Sequence, residues 1–431
     1  MKRLGLIAGA AVVAVTAAAC SSSSTSASSG ASSPASASSS TGASSSAAGL
    51  PTAAAAASGT PYKVFFINEQ GASATASDPE DTSAATAAVD YINKNLGGIK
   101  GRPVQMTTCA TLGTSESMIS CANKAVDAKA DIVIKGAETA AESGVPIITG
   151  AGIPYLTLNA GSAGELNNKL SFVPSAGFAA QYSSLAVYAK SKGYKNVVAV
   201  FTDVTALSSP LQGPIAKAFA REGITYSTLP VALTTSDLTP TYDTALAKKP
   251  DLILDFASLA QCTALLNARQ TLSDTTPLAI GPNCATSSVL NSVSSQYVNG
   301  LAVASPDTST VSTDKDTQTY DAAMKAYAPS ASTGGFAPTS FEAVMDFYNA
   351  MTTAADPASV TSPSAVAQVL STSKNIPLFM GAGKSFTCSH TLFPTLPAAC
   401  SPYAFVVTYT GNGVYSLVGS YDMTALMKGL I

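Results

Sequence analysis

The chain has no tryptophan and a single histidine, and only 11% of its 431 residues are charged. No cluster of lysine and arginine interrupts the near-neutral balance of −3, so a nucleic-acid partner is excluded on electrostatic grounds. A serine-histidine-aspartate hydrolase would have to use His390, which lies between Cys388 and Cys400 in CSHTLFPTLPAAC and is expected on a solvated surface loop. Zinc finds no C-x₂₋₄-C spacing and only that one imidazole, and no paired-carboxylate or metal motif occurs elsewhere. GAGKS at 381–385 lacks the first glycine of a phosphate-binding loop, since position 378 is Leu378. The expectation is a protein that is not an enzyme and takes neither cofactor nor metal. A long apolar run is also missing. The nearest, LGLIAGAAVVAVTAAA after MKR, has sixteen residues, too few to span a bilayer comfortably and flanked like an export signal.

That signal ends Ala17-Ala18-Ala19-Cys20 and resembles a bacterial lipoprotein signal, in which the cysteine becomes the lipidated first residue, although leucine is commoner at position 17. Ordinary cleavage after an Ala-x-Ala site is the alternative and would leave Cys20 a free thiol. Setting Cys20 aside, the remaining six cysteines fall into three local pairs: Cys109 with Cys121, Cys262 with Cys284, and Cys388 with Cys400. Exported chains meet oxidising conditions, so three disulfides are expected. Six cysteines allow fifteen connectivities, and locality alone favours this one.

Residues 21–60 contain no charged residue, and 17 of these 40 are serine. Such a segment cannot bury enough apolar surface to offset its ordering entropy. It is expected to be a flexible tether, with a reach of about 35 Å. From Pro61 the pattern changes to short β-branched runs, YKVFFI (62–67), PVQMTT (103–108), DIVI (131–134), NVVAVF (196–201), DLILDF (251–256) and GLAVAS (300–305). Helix-like stretches at 82–95, 181–192 and 210–222 separate several of them and stop at Gly97, Gly193 and Gly223, each able to adopt a left-handed cap. Strands alternating with helices imply parallel sheets covered on both faces. About 370 residues exceed one sheet, so two α/β lobes are expected.

YINKNLGGIKGRPVQM (91–106) resembles a segment of the type I solute-binding proteins of ABC importers, the leucine/isoleucine/valine-binding family. GIPYLTLNAGSAGEL (152–166), FTDVTALSSPLQ (201–212), IGPN (280–283), GGFAPTSFEAV (334–344) and FMGAGKSF (379–386) follow in the family's order. The resemblance implies two Rossmann-like lobes with parallel sheets, joined by three hinge crossovers. These crossings are expected near Phe172–Gly177, Ser305–Asp307 and Gly381–Phe386. The first lobe is then 61–175 and 306–384, and the second 176–305 and 385–431. A ligand would lie between the lobes at the carboxyl ends of both sheets.

The same resemblance supplies candidate ligand-binding residues. Ala160 and Ser162 occupy the slots in which amino-acid binders of this family hold the ligand carboxylate. Asn283 stands where those binders carry an acidic group for the ligand ammonium. An amide cannot balance a buried positive charge, so an ordinary α-amino acid is not the expected ligand. Ser77, Leu207 and Ser258 replace ring positions, Phe336 is a retained ring, and Glu138 and Asp203 are acidic candidates near strand ends. A Cys262–Cys284 bridge would tie two adjacent loops and hold Asn283 in place. The implied whole is a monomer anchored by lipid to the outer face of the cell membrane, delivering a small polar solute to an ABC importer permease. The same fold can instead serve as an extracellular sensing domain that signals through a membrane receptor.

Overall fold

The structure is a computed structural model that describes residues 49–71 and 78–430. Cys20, most of the expected tether and Ser77 lie outside the described residues. No helix among them is long and apolar enough to cross a membrane.

Two sheets organise the chain. The first has five strands in the order β2-β1-β3-β4-β5: β1 Tyr62–Glu69, β2 Val104–Thr111, β3 Ile132–Lys135, β4 Tyr155–Leu156 and β5 Ser171–Phe172. All four of its pairings are parallel. The reason lies in β1, where Tyr62, Val64 and Phe66 enter one buried cluster while Phe65 and Ile67 enter another on the opposite face. A strand apolar on both faces must be covered on both. Helices Pro79–Asn95 and Ala337–Thr352 cover one side and helix Ser115–Asp127 the other.

The second sheet contains β6 Asn196–Thr202, β7 Thr225–Val231, β8 Leu252–Phe256, β9 Leu278–Ile280 and β10 Ala302–Ser305, all parallel. Val197, Ala199 and Phe201 face one core cluster, Val198 and Val200 the other. It also gains an antiparallel hairpin, β13 Tyr403–Gly411 and β14 Val414–Asp422, stacked beyond β10. Its local signal is the Gly411-Asn412-Gly413 turn, where all three residues have positive φ. Gly97, Gly193 and Gly223 also lie at positive φ, as helix-ending glycines require.

The chain passes between the sheets three times. It leaves β5 at Phe172 and enters helix Gly177–Ser191, which packs on the second sheet. After β10 it returns to helix Lys315–Tyr327 in the first core. The third passage lies later than 381–386. Ser385–Phe386 (β12) pairs with Ile376–Pro377 (β11), and Phe386 is buried in the first core, so the chain crosses only between Phe386 and Tyr403.

Two further expectations need correction. Residues 50–60 are not free tether: Leu50 enters the first core, and the Ser58 and Gly59 amides donate to the Gly101 carbonyl at 2.9 and 3.1 Å. Asn95 Nδ2 donates to the Pro51 carbonyl, and Arg102 Nε to that of Thr60. The Cys388–Cys400 loop is not a surface ornament either. Phe393 and Ala398 are buried, and the His390 ring packs 5.6 Å from that of Phe172, with Nδ1 bonded to the Pro397 carbonyl. The structure joins all three local cysteine pairs as disulfides.

Gly98 lets the 53–59 segment lie close. It has φ +76°, and a Cβ there would collide with the Arg102 carbonyl and sit 2.7 Å from Ala57 Cβ. Gly101 has φ +88° with nothing within 4 Å of such a Cβ. Gly98→Ala is therefore expected to destabilise by about 2–4 kcal/mol, combining backbone strain with overpacking, and Gly101→Ala by about 1 kcal/mol from strain alone. Equilibrium denaturation of both variants measures the difference.

Candidate functional site

The carboxyl ends of the two sheets carry the candidate residues. In the first sheet, β3 ends at Lys135, whose Nζ is buried and paired with Glu165 at 2.8 Å while donating to the Asn159 carbonyl. Glu165 is held low by that ammonium and by backbone N–H donors, against the upward push of burial. Its Oε2 accepts from the Gly161 and Ser162 amides at 3.0 Å each, and the Ser162 hydroxyl accepts the Glu165 amide, closing a capping box on helix Ala163–Leu166. The Ser162 amide is thus used internally, but its hydroxyl keeps a proton to donate.

Glu138 also serves the loop. It accepts from the Thr111 hydroxyl and from the Ala140 amide at 2.7 Å, and burial raises its carboxyl above the usual range. Ala160 is fully buried with Leu166, Val173 and Ala398, and its carbonyl accepts from the Phe178 amide. Its side chain is core, so any ligand contact there is made by backbone.

The second sheet presents a neutral half-site. Thr202 Oγ1, at the end of β6, donates to Gln261 Oε1 at 2.6 Å and accepts the Ser258 amide at 2.7 Å. Ser258 Oγ reaches the same Gln261 oxygen at 3.3 Å, while Gln261 Nε2 donates to the Ala232 and Thr235 carbonyls. Next to Gln261, Cys262 bridges to Cys284. Asn283 Nδ2 donates to the Ala257 carbonyl at 3.0 Å, which leaves Oδ1 as an acceptor. A Cβ on Gly281 would lie 2.6 Å from that Oδ1 and 3.2 Å from the Tyr182 hydroxyl, so a side chain there would displace the Asn283 amide.

Not every candidate joins this group. Asp203 is exposed and accepts from the Ser208 hydroxyl at 2.8 Å. Leu207 packs against the second core. Phe336 is half-buried and starts helix Ala337–Thr352, its carbonyl accepting from Thr339 Oγ1 and the Ser340 amide.

Sequence reasoning missed three features. Gly334 and Gly335, just before Phe336, approach the second lobe at Thr286: a Cβ on Gly334 would sit 3.5 Å from Thr286 Cα, and one on Gly335 3.7 Å from Thr286 Cγ2. Gln261 was masked by its neighbour Cys262. Asp78 and Asp81 look like ordinary helix-start acids, yet both are buried. Burial and neighbouring carboxylates raise Asp78 to about 8; burial raises Asp81 to about 7, against the Ala137 amide. Among the described residues no His/Cys/Asp/Glu group could hold a metal ion.

The periplasmic binding protein family matches residues 61–399. No curated protein matches the chain by sequence. Solved structures match its fold. The branched-chain amino acid transporter substrate-binding protein LivJ of Streptococcus pneumoniae, in complex with isoleucine, is 18% identical with a TM-score of 0.66, over 84% of this chain and 99% of that one. A solute-binding protein of an R. palustris ABC transporter, in complex with benzoate, is 14% identical with a TM-score of 0.63, over 84% and 96%. A fatty acid ABC transporter substrate-binding protein from Thermomonospora curvata is 12% identical with a TM-score of 0.68, over 87% and 96%. At these identities the likeness is one of fold.

Beneath the neutral half-site lies Asp255 in β8, fully buried, with Oδ1 accepting the Ala257 amide at 2.8 Å; burial raises its carboxyl to about 7. A raised carboxyl stabilises fully below its unfolded value near 4, and that contribution is lost as pH climbs through 7. Asp255→Asn keeps the acceptor without the titration. Its melting temperature is expected to gain several degrees on wild type between pH 4 and pH 8; parallel pH profiles would mean that Asp255 is not protonated in the native state.

Proposed function

Because the chain belongs to the periplasmic binding protein family, a family of binding proteins and not of enzymes, we propose that it is an extracytoplasmic solute-binding protein that delivers a small polar solute to an ABC importer. We place the ligand between the two lobes, against Ser162 on one side and Ser258 and Asn283 on the other. The three passages between the sheets would act as hinges closing the lobes over it. Lobe limits near residues 175 and 305, and a third between Phe386 and Tyr403, suit this reading.

One observation carries the ligand class. Asn283 is held by the Ala257 carbonyl and offers a neutral oxygen where an amino-acid binder needs a carboxylate. A ligand ammonium buried there would lack a counter-charge. The matching partner is a neutral N–H or O–H donor. Across the cleft, the Ser162 hydroxyl suits an oxygen acceptor. An amide, urea or alcohol carries both groups; an ordinary α-amino acid does not fit. Export, lipidation at Cys20 and oxidised cysteine pairs complete the proposal.

Two experiments test it. In thermal unfolding against amino acids, amides, ureas, carboxylates, sugars and aromatic acids, a neutral amide-like or hydroxylated solute is expected to raise the midpoint, since a ligand of the native state alone must do so. Stabilisation by leucine, isoleucine or valine, with Asn283→Asp changing little, would overturn the ligand class. Expressed in a bacterium with lipoprotein processing, the full chain is expected in the membrane fraction and Cys20→Ala in the soluble exported fraction. Equal membrane retention of both would overturn the anchor.

A further inference from the structure

The second passage between the sheets buries carboxylates and no base. Asp307, just after β10, is 1% exposed, and Glu342 and Asp346 on helix Ala337–Thr352 are fully buried. Asp307 Oδ1 accepts the Ser309 amide at 2.8 Å and lies 3.3 Å from the Ser305 hydroxyl. Asp346 Oδ1 accepts the Phe379 amide at 2.9 Å, and Asp316 Oδ2 the Met380 amide at 3.1 Å. Four oxygens have no donor at all: Asp307 Oδ2, both Glu342 oxygens and Asp346 Oδ2.

The elements packed around this group present acids, hydroxyls and backbone but no base; helix Pro79–Asn95 brings Glu80 and Asp81 toward Tyr320 and Tyr91 toward Asp316. Helix Lys315–Tyr327 contributes Asp316 and Tyr320, with Asp314 capping its start. Helix Ala337–Thr352 contributes Glu342 and Asp346, and the loop between β11 and β12 contributes the Phe379 and Met380 amides. Lys384, the nearby cation in sequence, lies over the Tyr403 ring instead. Buried anions without partners are too costly to persist. A proton between two carboxyl groups removes one charge and makes a strong O–H···O⁻ bond.

We propose that Glu342 donates a retained proton to Asp307, latching the second passage onto the first lobe and making this junction sensitive to pH. Burial, reinforced by the neighbouring carboxylates, pushes Glu342 well above the ordinary carboxyl range, and burial raises Asp307 too. The stabilisation is therefore fully present below the unfolded value near 4 and is lost as pH rises through the raised native values. When the proton leaves to solvent, two anions face each other and the passage loosens. The consequence for ligand capture rests on reading the passages as hinges; the latch itself does not.

The test uses the full chain without ligand, as wild type, Glu342→Gln and Asp307→Asn. Glu342→Gln keeps a donor toward Asp307 but cannot titrate, so it is expected to fold. Infrared difference spectra between pH 5 and pH 9 should show a protonated-carboxyl band in wild type that Glu342→Gln lacks. The wild-type melting temperature should fall by about 2–5 °C more over that range than that of Glu342→Gln. Limited proteolysis should cut wild type within 305–311 faster at pH 9 than at pH 6, with Glu342→Gln showing no such rise. Identical bands and pH slopes in wild type and Glu342→Gln, with Asp307→Asn also matching, would overturn the shared proton. A shared proton without pH-dependent cleavage would overturn the latch. Neither result depends on what solute, if any, the cleft takes.

Discussion

Backbone groups that leave a sheet must find other partners, and a chain that passes three times between two sheets leaves many of them exposed to that demand. Here the passages satisfy one another. The Val173 amide donates to the Ala398 carbonyl and the Cys400 amide to that of Val173, so the first passage is bonded to the third. The amide and hydroxyl of Thr308 both donate to the Met380 carbonyl, bonding the second passage to the loop before β12. Ala398 also donates to Leu166, at the end of the helix that Ser162 caps. The junction is therefore a small hydrogen-bonded structure in its own right.

Much else follows from keeping that junction dry and filled. The Cys388–Cys400 bridge closes the loop that supplies the third passage, and Phe393 and His390 fill the space beneath it. The rings of Phe178, Tyr182 and Phe256, tilted and edge-to-face with centroids 4.5 and 4.7 Å apart, carry the packing from the first passage to the floor of Gly281–Asn283. On that floor the Cys262–Cys284 bridge and the Asn283–Ala257 bond restrict the loop. A loop that is already ordered loses little entropy when it meets a ligand.

The sheets were legible in the sequence because their strands are apolar on both faces and their helices end at glycine. The β13–β14 hairpin has one short local cue, the turn in TYTGNGVYS, and follows a long run of parallel units that does not imply it. The cysteine pairs were legible because each is local in sequence, and Asn283 stands out only by its neutral amide after the Gly-Pro turn. Ala160 and Leu207 were placed by resemblance to the family, and the structure buries the Ala160 side chain and packs Leu207 against the second core. Asp78, Asp81, Asp307 and Glu342 gave no signal, since a carboxylate near a helix or loop is ordinarily solvated. Their burial is a property of tertiary packing and has no local sequence counterpart. The docking of residues 50–60 was hidden for a related reason. An alanine-rich strap gains little from burial itself, and its order comes from backbone bonds to Gly101 and from the room left by Gly97 and Gly98.

That strap gives the first lobe a polarity. Its contacts, with Asn95, Gly101 and Arg102, all lie at the amino ends of β1 and β2. Ser162 and Glu138 follow the carboxyl ends of β4 and β3. Parallel strands separate the two by their full length, and β1 with its eight residues spans roughly 25 Å. The described chain thus begins at the end of the first sheet opposite the candidate residues. On the proposed anchoring, attachment would act on the first sheet at the end away from the candidate residues, so it would place no demand on the strand ends that carry them.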